Sequence, residues 1–345
     1  MTLLVLHCFL TFLFNLGEGL SEYKTSWTDL NFIERETISA MSPDVLNKNI
    51  KWFEFPMEPG LEWLWETNNV VMDFGGTFHS IYLRWAVTIN GLHVAAEKYS
   101  NSSWLKHAQD FNVTGFRNAV DGSGPRQTSV RVWNPETVAK VHESSIPMLA
   151  AWAFCNMYSC LEEFIFKIFR IYLDAHPLAI CKGDEFKTLR RVYNARLNDQ
   201  ASLETWNALW NERLESWHRK RLYDGLEKVF LNYCNVAGLE IPIAYKGQYG
   251  YEAVAKTLGG ISLIRNCFIH GATVVPVELA EFCKGFESLF FSYEEGRKFE
   301  ISLHELATLE YFTDTLTQTL NSSILELSLP EIKDLNKRFA KEGKL

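Results

Sequence analysis

Arg265, Asn266 and His270 are the residues of this chain whose types and spacing best suit chemistry. A histidine can take a proton from a ribose hydroxyl, or give one to a leaving oxygen, near neutral pH. An arginine can stabilise charge developing on phosphoryl oxygens. Asn266 can fix the imidazole or contact a phosphate. Together these groups suit cleavage of a phosphodiester. Their spacing sets a condition, however. Asn266 and His270 are four apart and stack on one side of a helix. Arg265 and His270 are five apart, about 140° around a regular helix, and do not share a face. Either the helix loosens at His270, or the long arginine side chain wraps round, or a second copy of the helix completes the site across a dimer interface. A structural reading competes with the chemical one: a helix-end arginine and histidine also serve as a C-terminal cap or as packing by an apolar stem.

Other groups carry weaker signals. His218, Arg219, Lys220 and Arg221 form a basic run, with Arg213 nearby and Arg190, Arg191 and Arg196 upstream. The run reads as a solvated helix face or as an RNA-backbone contact. Trp206, Trp210 and Trp217 stand at core spacing and are expected to pack rather than to stack on bases. Gly75-Gly76 and Gly259-Gly260 lack the context of a phosphate-binding loop, so no nucleotide fold is expected. No Cys, His, Asp or Glu cluster has metal-ligand spacing, so neither a metal nor another cofactor is expected.

The elements that position these residues are mostly helices. Ser42 and Pro43 read as an N-cap and first helical residue, leading into a segment that ends near Trp52. Residues 61–99 read as one or two helices with a break at Gly75-Gly76. Over residues 100–133 the helical pattern weakens, and Asp121-Gly-Ser-Gly-Pro125 is the strongest loop signal in the chain. Residues 128–133 suit a short strand, and the domain boundary is placed in this stretch. Asn134 and Pro135 restart helix. Residues 148–173 have a broad apolar face and one narrow polar stripe, which predicts a central helix. Long helices are expected over 203–234, 251–270 and 277–291. The 251–270 helix buries Val254, Leu258, Ile261, Ile264 and Phe268 and ends at Gly271. Ser302 and Glu305 form a capping box at the start of a last helix that Pro330 stops. A solvated helix or frayed end is expected over 331–345.

Composition bounds the classes. The chain has 345 residues, with 47% hydrophobic and 14% aromatic, enough for about two packed domains and against global disorder. A formal charge of -8 excludes non-specific coating of nucleic acid, so any such contact must be local. Seven cysteines with no C-x-x-C pair point to reduced thiols in a reducing compartment. Residues 2–16 are apolar but carry no basic flank, which favours a buried element over a cleaved signal and leaves an exported protein as a third alternative. A membrane span needs roughly 20 apolar residues, and none is expected. The sequons at Asn101, Asn112 and Asn321 matter only in a secreted protein.

Arg265-Asn-Cys-Phe-Ile-His270 fits an R-x4-H pattern with a polar residue after the arginine, at the end of the third long helix of the C-terminal half. In this the chain resembles the HEPN superfamily, and the stretch 262–272 looks like that of bacterial members from defence and toxin systems. The resemblance spans roughly 134–329. It implies an all-α fold: a four- to five-helix bundle over 134–330, after a mostly helical region 1–133 of unknown role and before the charged tail 331–345. It also implies a cytoplasmic homodimer and a metal-independent endoribonuclease of a defence or toxin–antitoxin kind, acting on RNA through a composite cleft. The paired arginines and histidines of two protomers would then remove the 140° difficulty. An antitoxin or other partner protein would accompany it. The alternative is a non-catalytic module in which the same bundle serves dimerisation or partner binding.

Overall fold

The computed structural model describes residues 60–106 and 109–341. The apolar segment 2–16 and the helix expected over 42–52 lie outside the described residues, as do Cys8 and residues 342–345.

Two long helices form the frame, α1 (Glu62–Ser100) and α2 (Pro135–Ala175). They run antiparallel, as matched contacts down their length show. Trp63 meets Tyr172, Phe74 stacks on Phe164 at 4.0 Å, and Trp85 Nε1 donates to Asn156 Oδ1 at 3.1 Å. α2 begins as its sequence demands. The Asn134 side chain accepts from the Thr137 N–H, and Pro135 occupies the first helical position, where its missing donor is harmless. The helix runs on through Pro147, which cannot donate to the carbonyl four residues earlier. Its middle is apolar nearly all round, and Phe154, Leu161, Phe164, Ile165 and Ile168 are wholly buried, so α2 is the central helix expected.

Between the two helices the chain leaves the bundle as a hairpin, β1 (Phe111–Asn118) and β2 (Pro125–Trp133), paired antiparallel. The sequence suggested only the second strand, and over a shorter span. β1 was missed because Gly115, Asn112 and Asn118 dilute its strand pattern. The domain boundary expected in this stretch separates no two cores among the described residues. Residues of α1 and α2 belong to one hydrophobic cluster, and the hairpin is an excursion from it.

Apart from a single turn at Ser102–Leu105, the remaining described α-helices are α3 (Lys187–Ala195), α4 (Gln200–Arg221), α5 (Leu226–Ala237), α6 (Tyr251–Ile269), α7 (Val277–Phe282), α8 (Leu303–Ser328) and α9 (Pro330–Lys341). The described residues are thus mostly helical, as expected, with one small two-stranded sheet that was not. Three expected spans divide differently. The helix expected over 203–234 breaks at Gly225, whose φ of 80° suits glycine and ends a helical path. The helix expected over 277–291 stops at Phe282 and continues only as a single 3-10 turn. Gly75 and Gly76 do not break α1. Gly75 faces α8, and a Cβ there would lie 3.5 Å from Thr317 Oγ1, so glycine accommodates close helix approach.

α8 packs antiparallel to α1, its start fixed by the expected capping box. The Ser302 N–H donates to Glu305 Oε2 at 2.7 Å. Its buried threonines return their hydroxyl protons to backbone carbonyls of their own helix: Thr308 to His304, Thr313 to Leu309, Thr319 to Thr315. Glu326, buried on the same helix, accepts from the Ile243 N–H and from Asn336 of α9. Pro330 ends α8 and opens α9 at once, so the expected tail helix is present through Lys341.

Candidate functional site

α6 lies against α2, antiparallel to it, with Ser262 beside Tyr158 and Phe268 edge-on to Trp152. Val254, Leu258, Ile261 and Ile264 are buried on the face toward the core, as their spacing requires. The C-terminus closes by hydrogen bonding. The Gly271 N–H donates to Phe268 O at 3.0 Å and the Ala272 N–H to Cys267 O at 2.8 Å, with Gly271 at φ 70°. This is the Schellman arrangement, and glycine supplies the left-handed residue it needs. Regular helix therefore ends at Ile269, and His270 is the capping residue, exposed, its N–H donating to Asn266 O. The segment that follows is held by a short antiparallel clip, in which the Val275 N–H donates to Arg297 O and the Phe299 N–H to Thr273 O.

Arg265 sits half-buried on the α2 side of the helix. Its Nη1 donates to Asn266 Oδ1 at 2.9 Å, and its guanidinium lies 5.5 Å from the centre of the Tyr158 ring. That distance suits a cation over an aromatic face. Tyr158 is itself nearly buried. Its hydroxyl lies 3.1 Å from Ser262 Oγ and donates to Glu162 Oε1 at 3.3 Å. Burial, with the nearby Glu162 carboxylate, pushes the Tyr158 phenol up to about 12, against the pull of Arg265. Burial likewise pushes the Cys155 thiol up, while Arg265 opposes the shift. Among the described residues Arg265 forms no ion pair with a carboxylate, so its charge is oriented but not neutralised.

The structure thus brings Arg265 and Asn266 together and leaves His270 apart. Among the described residues no hydrogen bond links the imidazole to either side chain. Asn266 was expected to fix the imidazole or meet a phosphate; its carbonyl is instead occupied by the arginine. Tyr158, Glu162 and Ser262 were not anticipated. The only sequence signal was the i, i+4 spacing of Tyr158 and Glu162 on a helix read as core. Trp152, expected on the apolar face, is 55% exposed, and Met148 (57%) and Ile269 (47%) are exposed on the same pair of helices.

The basic run is partly consumed by the fold. Arg213 donates to the Ile180 carbonyl from Nε at 3.1 Å and from Nη2 at 2.7 Å, and its guanidinium covers the Phe186 ring. Burial lowers its pKa. Arg221 pairs with Asp224 at 2.5 Å, and His218 packs on Phe166 at 4.4 Å. Arg190 donates to the carbonyls of Cys181 and Gly183, and Arg196 stacks on Tyr193. Arg219, Lys220 and Arg191 remain exposed. Trp206, Trp210 and Trp217 are buried, as their spacing predicts, and Trp210 donates to Asp174. Cys155, Cys181, Cys234, Cys267 and Cys283 are free thiols. Asn321 is buried on α8, which closes that sequon to modification in the folded chain. No described helix is long and apolar enough to cross a membrane, and no three His, Cys, Asp or Glu side chains among the described residues gather as metal ligands.

Compared with known proteins, the chain matches no family model, no curated protein and no solved structure.

Proposed function

We propose that this chain is a metal-independent endoribonuclease of the HEPN kind, working as a homodimer in which the ends of two α6 helices form one cleft. The observation that carries the reading is the state of Arg265. It is half-buried, steered by Asn266 and the face of Tyr158, and left without a carboxylate partner among the described residues, five positions from an exposed histidine at the helix cap. A guanidinium held in this way is prepared for an anionic group from outside.

In this reading one His270 takes the proton of a 2′-hydroxyl. The freed oxygen attacks the adjacent phosphorus, and the 5′-oxygen leaves with a proton supplied by the partner's His270. Arg265 stabilises charge on the non-bridging oxygens, and the Asn266 amide contributes a donor beside it. The products are a 2′,3′-cyclic phosphate and a 5′-hydroxyl. The cellular setting would be a defence or toxin–antitoxin system, with a protein antitoxin as partner.

The exposed Met148, Trp152 and Ile269 beside the site favour a second reading, a dimerisation or partner-binding module without catalysis. One experiment separates the two. The purified full chain is incubated with RNA in EDTA, and the ends of the products are identified. Cyclic phosphate ends are expected, and His270→Ala and Arg265→Ala should each lower the rate ~10²–10⁴-fold while staying folded. A wild type that cuts no RNA, or variants that cut as well as it does, would leave the binding module.

A further inference from the structure

We propose that the β1–β2 hairpin is an arm that grips the phosphate backbone of single-stranded RNA on a face carrying Arg117, Arg126 and Arg131. The proposal rests on the RNA reading of the helix-end site, and it concerns a part of the chain that the resemblance does not cover.

The pairing register carries the argument. Arg126 and Arg131 are five residues apart on one strand and would point to opposite faces if β2 were regular. It is not regular. Val113 pairs with Arg131 and Thr114 with Ser129, so Val130 is an extra residue, a β-bulge. The bulge shifts the alternation by one and puts Arg131 on the face that Arg117 and Arg126 share through β1. Gly115 makes the bulge possible, because a Cβ there would lie 2.8 Å from Val130 Cγ2. The same Cβ would lie 4.0 Å from Arg117 Nη1, which places that guanidinium over the same face. The opposite face carries no charge: Ser129 and Gln127 bond to Asn112 and Thr114 there, and Phe116 stands exposed among them.

Among the described residues, the charges on the arginine face are only partly paired. Arg117 stands directly across from Arg126, and like charges opposite each other destabilise a strand pair. Arg126 is shared with Asp121 and Ser123 of the turn. Arg117 donates only to the neighbouring Phe116 carbonyl, and neither it nor Arg131 forms an ion pair among the described residues. Arg117, Arg126 and Arg131 are all exposed, and they line a ribbon about 13 Å long. A polyanion laid along it would offset the repulsion. Val113 and Val130, 40% and 42% exposed between the arginines, offer apolar contact to riboses.

Position selects RNA over an acidic protein. α6 runs antiparallel to α2, so beyond Phe268 and Trp152 it points His270 toward the end of α2 where the hairpin is attached. The hairpin base at Pro135 lies roughly 25 Å along α2 from the level of Trp152, and a strand of this length reaches about as far. A strand of RNA cut at the helix end can continue onto the arm.

The test uses the full-length His270→Ala chain, which holds RNA without cutting it, and a fluorescein-labelled single-stranded 24-nucleotide RNA. Anisotropy is followed from 50 to 300 mM KCl in EDTA. Replacing Arg117, Arg126 and Arg131 together by Gln should weaken binding and make the slope of log K against log salt shallower by roughly 2, at about 0.7 for each phosphate no longer neutralised. Deleting Val130 removes the bulge but leaves Arg131 opposite Val113 on the arginine face, so this control should keep the affinity and salt slope of the parent chain. Circular dichroism should stay unchanged for both, since the arm lies outside the core. An unchanged affinity and slope in the triple variant overturns the proposal. So does a full chain that binds no RNA, or one that binds a polyglutamate peptide as tightly. RNA bound by the arm but left uncut by wild type would defeat the ribonuclease and leave the arm standing. RNA cut by wild type but bound equally by the triple variant would do the reverse.

Discussion

Arg265 needs its fork as well as its charge. One Nη nitrogen serves Asn266 while the planar group lies toward Tyr158, which leaves the other donors for a phosphate. Arg265→Lys keeps the charge but cannot do both, so its cleavage rate should fall most of the way to that of the alanine variant while RNA binding changes little; a lysine variant near wild-type rate would show that only charge matters. A different residue governs pH response. His79 Nδ1 lies 2.7 Å from Glu310 Oε1 and joins α1 to α8. The hydrogen bond to Glu310 raises its pKa above 6.5, against a smaller opposing effect of burial, and Asp314 adds to the rise. The protonated form is thus favoured in the folded state. Its stabilisation is complete below pH 6.5 and is lost as pH rises through the higher folded value. The pair is half-exposed, so the effect should stay under ~1 kcal/mol. Melting temperature followed from pH 5.5 to 8.5 should show that loss in wild type and not in Glu310→Gln. Asp314, whose pKa burial raises, acts in a separate acid window that opens above 3.8.

At the scale of elements, glycines with the same helical assignment predict opposite outcomes. Gly76 has open space where a Cβ would go, so Gly76→Ala should stabilise by about 0.5–1 kcal/mol through helix propensity alone. Gly260 on α6 meets the Phe282 ring of α7, with a Cβ only 2.0 Å from Cζ. Gly260→Ala must displace that ring and should cost about 1–3 kcal/mol. Urea unfolding of the two variants checks both signs. The Gly260 result also bears on the site, because α6 carries Arg265 and the α6–α7 contact holds the segment after His270.

For the whole molecule the question is what covers Met148, Trp152 and Ile269. If the proposed dimer forms there, light scattering should report near twice the 39.8 kDa chain mass. Trp152→Glu should then return it to monomer, since a charge in a closed apolar contact is left unpaired. The side chain is over half exposed in the single chain, so the monomer should keep its melting temperature. Loss of cleavage together with loss of the dimer would tie the two; cleavage by a stable monomer would remove the composite cleft.

The sequence alone determined the features that depend on neighbours in the chain. The Asn134 cap, the Ser302–Glu305 box and the Gly271 terminus are each read from a few adjacent residues, and each is present. The buried face of α6 and the core tryptophans of α4 follow from periodicity, because a helix repeats every 3.6 residues whatever it packs against. Tertiary structure decided what depends on distant partners. Gly75-Gly76 has the composition of a break, yet it is an approach point for α8, 242 positions away from Thr317 in sequence. Arg213 belongs by composition to a basic patch, yet it caps the Ile180 carbonyl because the fold brings that group within hydrogen-bond reach. Arg131 shares a face with Arg126 only because Gly115 on the other strand admits a bulge. Tyr158 lies beneath Arg265 because two helices more than 100 residues apart pack side by side. Local hydrogen bonds and periodicity are written in short stretches of chain; which charge is neutralised, and which is left for a partner, is settled only when those stretches meet.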